Sequence, residues 1–180
     1  PGEASSIERD IFPAVIEAGH PVFGYLAQAY WLDLGTPEKY LQAHFDMLEG
    51  KVHDVSYPAP WIADGATVDL RAHLGRWVAV GPGTSIGPEA QVEDSVLHAD
   101  VAIGNGARVA GSIIAKAATV GAGATVIDSV IGEGASVPAG LTLEAARISA
   151  GEIARPGSIR ASFGTTRCTS LSRCSKSRAP

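Results

Sequence analysis

Asp33 is the residue best placed to do chemistry in this 180-residue chain. It stands within Tyr30-Trp31-Leu32-Asp33-Leu34-Gly35-Thr36-Pro37-Glu38-Lys39-Tyr40-Leu41, at the end of an expected strand and just before a Gly-Thr-Pro turn into a helix. A carboxylate at a strand terminus is where α/β sheets usually hold ligands. On residue type alone, a lone carboxylate there reads more simply as a turn or capping residue. His73 and His98 qualify as general bases by type. His73 reads as lying in an inward, small-residue neighbourhood beside Leu74, and His98 as beginning a corner, so packing or surface roles fit both better than catalysis. His53, His73 and His98 lack the short two-histidine spacing of a zinc site. Cys168 and Cys174, six apart with no further Cys or His beside them, read as two free thiols.

The element that must position Asp33 is punctuated clearly. Thr36 is a suitable N-cap, Pro37 suits the first helical position, Glu38 falls in the first turn, and Gly50 closes the helix. Tyr40, Leu41, His44, Phe45 and Leu48 share one face, so this amphipathic helix must dock on something, with His44 a packed or rim residue. Upstream, the stretches PVFGYLA and AYWLDL within residues 21–34 read as two strands. Before them, Ile7, Ile11, Val15 and Ile16 recur at helical spacing, but Pro13 divides this helix into two short turns that Gly19 and Pro21 end.

Residues 62–143 carry a different period. Ile62, Val68, Leu74, Val80, Ile86, Val92, Leu97, Ile103, Val109, Ile114, Val120, Val126, Ile131 and Val137 follow one another at steps of six with occasional fives. From Val92 the pattern settles to rows of seventeen: VEDSVLHADVAIGNGAR, VAGSIIAKAATVGAGAT and VIDSVIGEGASVPAGLT. Val92, Val109, Val126 and Leu143 form one column, Leu97, Ile114 and Ile131 a second, and Ile103, Val120 and Val137 a third. Three apolar columns per row imply a three-sided coil. Two residues before each aliphatic position the side chain is small (Ala66, Ala72, Thr84, Ala90, Ser95, Ala107, Ser112, Ala118, Ala124, Ser129, Ala135), with Val78 and Val101 the exceptions. That position also points inward, where a narrow prism has room for one large and one small residue per face. The glycines after each step are expected to turn the corners. One rung buries nothing alone, and stacking supplies both the core and the parallel ladders. Trp61 and Trp77 flank the first coil, where they would cap its open end or cover the joint with the preceding segment.

A composition of 46% hydrophobic and 18% charged residues, with a net charge of −5, is that of a soluble globular protein. No apolar run approaches a membrane span and no signal pattern opens the chain, so a cytoplasmic protein without membrane partners is expected. Beyond Glu152 there is no acidic residue, while Arg155, Arg160, Arg167, Arg173, Lys176 and Arg178 accumulate. This Ser/Thr-rich end reads as a disordered tail rather than a nucleic-acid contact. The expected organisation is thus an α/β segment over 1–57, a repeat domain over 58–157 and a basic tail over 158–180. The lack of an initiator methionine suggests that something precedes Pro1.

Ser6-Ile7-Glu8-Arg9-Asp10-Ile11-Phe12-Pro13, the glycine-aromatic stretch, WLDLGTPEKYL and the repeats that follow together resemble the C-terminal portion of a sugar-phosphate nucleotidyltransferase. Among such nucleotide-sugar pyrophosphorylases the chain is most similar to the mannose-1-phosphate guanylyltransferase type. The resemblance implies a mainly β chain: a left-handed parallel β-helix of hexapeptide repeats after a small α/β remnant of the catalytic domain. Its left hand rests on the resemblance only and departs from the usual right-handed crossover. The resemblance further implies transfer of a nucleotidyl group from an NTP, GTP in this type, to a sugar 1-phosphate such as mannose 1-phosphate. It makes Asp33 a ligand of Mg²⁺ and the β-helix a site of homo-oligomer assembly or regulation. The family's glycine-rich phosphate loop, second metal-binding Asp and sugar-contacting elements lie upstream and do not occur here, so the chain alone is expected to be inactive. The alternative is a hexapeptide-repeat acyltransferase acting on an acyl thioester, which usually interrupts its repeats with a long loop. These repeats run without one.

Replacing Ile114 with Asp would put an unpartnered charge inside a column. The expected cost is at least several kcal/mol, read as loss of cooperative thermal unfolding at the original temperature.

Overall fold

The computed structural model describes residues 4–54 and 57–158. The tail expectation and both cysteines lie outside the described residues, apart from Ser158. Contacts divide the chain between Trp31 and Leu32, upstream of the junction near residue 58 read from the sequence.

In the first unit, Ser6 caps a π-helical turn at Ile7–Ile11, and its Oγ accepts from the Arg9 amide at 3.2 Å. Helix α1 follows at Phe12–Glu17, with Pro13 in its first turn, and Gly19 ends it at φ 76°. These are the two short turns expected around Pro13. Neither buries a residue. The two strands expected within residues 21–34 are absent: the backbone there forms no ladder, and Phe23 and Tyr25 are 89% and 94% exposed. Aromatic and branched residues favour a strand only where a neighbouring strand accepts the ladder hydrogen bonds. No described residue supplies one.

The second unit contains helix α2 (Pro37–Leu48) and the coil. Thr36 caps α2, its Oγ1 accepting from the Lys39 amide at 3.4 Å. In the coil, parallel strands stack into three sheets of six, five and five strands. The first face stacks Trp61–Ile62, Ala79–Val80, Val96–Leu97, Ile113–Ile114, Val130–Ile131 and Arg147–Ile148. Its register sets Leu97, Ile114 and Ile131 side by side, as the row alignment requires. The second face pairs Ile103, Val120 and Val137, and the third pairs Val92, Val109, Val126 and Leu143. Ala90, Ala107, Ala118, Ala124 and Ala135 are buried between them, as are Val78 and Val101. The core is one continuous column running through the coils. Among the described residues nothing caps it at the first coil, where Ile62 is 43% exposed.

The corners differ in kind. At each five-residue step the chain turns through one left-handed residue, Asp94, Gly111, Asp128 or Ala145, with φ between 45° and 58°. The buried serine that follows has a ladder of its own: the Oγ atoms of Ser95, Ser112 and Ser129 each accept the amide seventeen residues on, at 3.0 Å. Each hydroxyl also donates to the carbonyl two residues back. The small inward residue at this corner is therefore a hydrogen-bonding element as well as a space-filler. A buried hydroxyl is tolerated because both its donor and its acceptor roles are satisfied.

Glycines do not all serve the corner as expected. Gly106 takes φ 64° with open space where a Cβ would stand, whereas a Cβ on Gly104 would lie 2.5 Å from the Ala122 backbone nitrogen in the next coil. Gly106 is there for conformation and Gly104 for close approach. Non-glycine residues such as Asp100 and Ala117 occupy other left-handed corners.

Gly106→Ala should cost about 1 kcal/mol, the left-handed penalty alone. Gly104→Ala should cost more, about 1–3 kcal/mol or above, because a coil spacing must open. Urea denaturation of the two variants checks the order.

Candidate functional site

The first face of the coil is apolar on both sides. Inward stand Val80, Leu97, Ile114 and Ile131. Outward stand Ala79, Val96 and Ile113, which are buried even though they point away from the core. On the other two faces the outward positions include Thr67, Ser85 and Thr119, or His73, Gln91 and Arg108, which are exposed, while Ala102, Ser136 and Thr125 are partly exposed. One face of three therefore has a cover, and α2 supplies it. The sequence carried the signal in its apolar doublets Val96-Leu97, Ile113-Ile114 and Val130-Ile131. A strict single column would have left the first member of each polar.

Helix α2 meets the coil at three places. Near its N-terminus, Leu34, Gly35, Thr36, Pro37 and Tyr40 line a pocket together with Ile113. In the middle, Tyr40 Oη and His98 Nε2 share a hydrogen bond at 3.1 Å, their rings stacked 6.1 Å apart at 15°. Nearer its C-terminus, Phe45 lies against Trp77 at 6.3 Å, while Leu48 is buried. Trp77 thus covers the joint rather than capping the coil end, and its Nε1 is a buried donor with no acceptor. Asp46 is buried too, accepting from Gln42 Nε2 and Lys51 Nζ, each at 2.9 Å. Glu49 first and Asp46 second hold Lys51 well above the usual lysine range.

Between helix and coil a cavity of about 340 Å³ remains, walled by Tyr40, His44, Tyr57, Trp61, Val96 and His98 among others. His44 Nδ1 donates to the Tyr40 carbonyl at 2.9 Å, and the two rings lie 4.4 Å apart. Burial pushes the Tyr40 phenol up. Burial, and then the neighbouring His44, pushes His98 down from 6.5.

Asp33 is exposed, just upstream of this helix, with Oδ2 3.6 Å from Lys39 Nζ. Among the described residues no three His, Cys, Asp or Glu side chains come together as a metal site. The donor set here is one solvated carboxylate facing an ammonium, which is at most one corner of an octahedral Mg²⁺ shell. The residues present do not by themselves fit that ion. His73 is exposed on the outer surface, not in the inward neighbourhood read from the sequence, because it occupies the odd position of its strand while Leu74 takes the inward one. Reading the sequence also missed the partnership of His98 with Tyr40, which lies 58 residues away.

Among the described residues no helix is long and apolar enough to cross a membrane. Residues 57–152 match the family described as the GMPPB C-terminal domain. The mannose-1-phosphate guanylyltransferase of Mycobacterium tuberculosis (strain ATCC 25618 / H37Rv) is 33% identical over 112 residues, covering 57% of this chain and 30% of that protein. Mannose-1-phosphate guanylyltransferase 1 of Arabidopsis thaliana is 30% identical over 95 residues, covering 51% of this chain and 26% of that protein. The chain therefore spans under a third of the length of these relatives. A mutant perosamine N-acetyltransferase from Caulobacter crescentus, solved with CoA and GDP-perosamine, superposes with a TM-score of 0.54 at 19% identity, covering 85% of this chain and 86% of that one. That likeness is one of fold.

Since the His98 pKa is lowered in the docked state, the undocked state binds a proton more readily. Docking strength is thus fully present above about pH 6.5 and is lost as pH falls through that value towards the folded pKa. Tyr40 and His44 are the titratable groups facing it. Amide exchange of α2, corrected for intrinsic rates, should accelerate on acidification from roughly pH 7.5 to 5.5. His98→Asn should flatten that dependence.

Proposed function

The chain belongs to the GMPPB C-terminal domain family, and from this premise we propose that it is the C-terminal part of an enzyme that transfers a guanylyl group from GTP to mannose 1-phosphate. A phosphate oxygen of the sugar phosphate bonds to the α-phosphorus of the nucleotide, the bond from that phosphorus to the β-phosphate oxygen breaks, and pyrophosphate leaves. The observation that carries this reading is the joining of WLDLGTPEKYL to the coil: its helix is seated on the one apolar outer face, leaving Asp33 exposed beside the first turn.

In this reading the nucleotide and sugar pockets lie outside the chain, and Asp33 contributes one ligand to a Mg²⁺ site completed by other residues. The coil serves assembly or regulation, with a homo-oligomer as the expected form. Acyl transfer from a thioester is the runner-up, supported by the shared fold. His98 would be its base, but the Nε2 of that residue is engaged by Tyr40.

Expressed from its whole coding sequence, the protein should release pyrophosphate from GTP only when mannose 1-phosphate is present. Asp33→Asn should lower kcat by roughly two orders of magnitude, about 2.7 kcal/mol of barrier, with an unchanged thermal midpoint because the residue is exposed. Consumption of acetyl-CoA in place of GTP would replace this reading with the runner-up.

A further inference from the structure

Tyr40 is the point at which the α2 docking surface and the Asp33 turn meet. It lines the pocket beside Ile113 together with Leu34, Gly35, Thr36 and Pro37, and its hydroxyl bonds to the coil at His98. Asp33 is tied to the same first helical turn through Lys39. The turn from residue 33 to residue 36 is otherwise exposed, apart from the edge lying over Ile113. An exposed turn of this kind has few contacts to hold one conformation. What fixes it is the rotation and depth of α2 on the coil.

Apolar contacts alone do not define that rotation. Ala79, Val96 and Ile113 offer only apolar burial, which is non-directional. A directional hydrogen bond between half-buried groups does define it, because a displaced helix would leave both Tyr40 Oη and His98 Nε2 desolvated and unpaired. His44 braces the arrangement from one turn along, its Nδ1 on the Tyr40 carbonyl and its ring against the Tyr40 ring.

We propose that Tyr40 and His98 are positioning residues: their hydrogen bond locks α2 to the coil in the one rotation that holds the Asp33 turn in its working place. The β-helix is thereby coupled to the reaction through that hydrogen bond. The link from the latch to turnover rests on the reading of Asp33 given above, whereas the latch itself does not.

Two measurements separate these. On this chain, hydrogen exchange is compared for wild type, Tyr40→Phe, His98→Leu and His98→Gln. Tyr40→Phe and His98→Leu should raise exchange across residues 33–40 by about tenfold while the coil amides stay protected, and His98→Gln, which keeps a polar partner for the hydroxyl, should restore most of the protection. Unchanged exchange at residues 33–40, or equal loss in His98→Leu and His98→Gln, overturns the latch. In the protein expressed from its whole coding sequence, the same two disruptive variants should lower kcat for GTP and mannose 1-phosphate about tenfold to a hundredfold with little change in KM. His98→Gln should recover in parallel. Loosened exchange with wild-type kcat would overturn the coupling to Asp33 and leave the latch standing. Absence of any guanylyl transfer in the wild type would overturn the functional reading, again without touching the exchange result.

Discussion

The stacking of one coil on the next governs everything else in this chain. Each strand of two or three residues is too short to persist alone, and it exists because the coils above and below accept and donate its ladder hydrogen bonds. The ladders set the spacing between coils, and at that spacing a Cβ on Gly104 or its counterparts would collide with the next coil's backbone. The serine ladder at the short corner obeys the same rule, since each Oγ accepts an amide from the next coil and not from its own. A fault in any one coil is thus felt by two neighbours.

From that rigid prism follows the placement of α2. Two faces meet solvent with polar outer residues, while the third carries Ala79, Val96 and Ile113 and would expose a continuous apolar strip if bare. Covering it orders a helix that has little else to hold it. Apolar burial, the Phe45–Trp77 contact included, supplies most of the affinity, and the Tyr40–His98 bond gives the docking its direction. A polar contact in such a joint matters more for uniqueness than for net stability. The orphaned indole Nε1 of Trp77 is the one buried side-chain donor among the described residues that the joint leaves unsatisfied.

Residues 21–34 illustrate the opposite situation. Val22, Phe23, Tyr25 and Leu26 have the composition of a strand and yet form none. The coil can satisfy its own ladders because its repeats return to the same face every seventeen or eighteen residues. This segment has no repeat to return to. Its propensity is real, but a strand is a relation between two segments, and local sequence supplies only one of them.

The sequence by itself determined the coil. A period of 5+6+6 gave the three columns and the pairing of Val109 with Val92 and Val126, because an in-phase aliphatic residue at every step admits only one way of stacking rows. It determined α2 as well, from Thr36 through Gly50, since capping and the helical stripe are local chemistry. Tertiary structure alone decided what α2 docks against, which glycines serve close approach rather than turning, and that His73 faces outward while His98 finds Tyr40. Each of these depends on the distance between atoms far apart in the chain, and a periodicity records only which side of its own strand a residue occupies. The doublets at Val96-Leu97 and Ile113-Ile114 are the exception: they mark in the sequence a face that must be covered, although the identity of the cover appears only when the chain has folded.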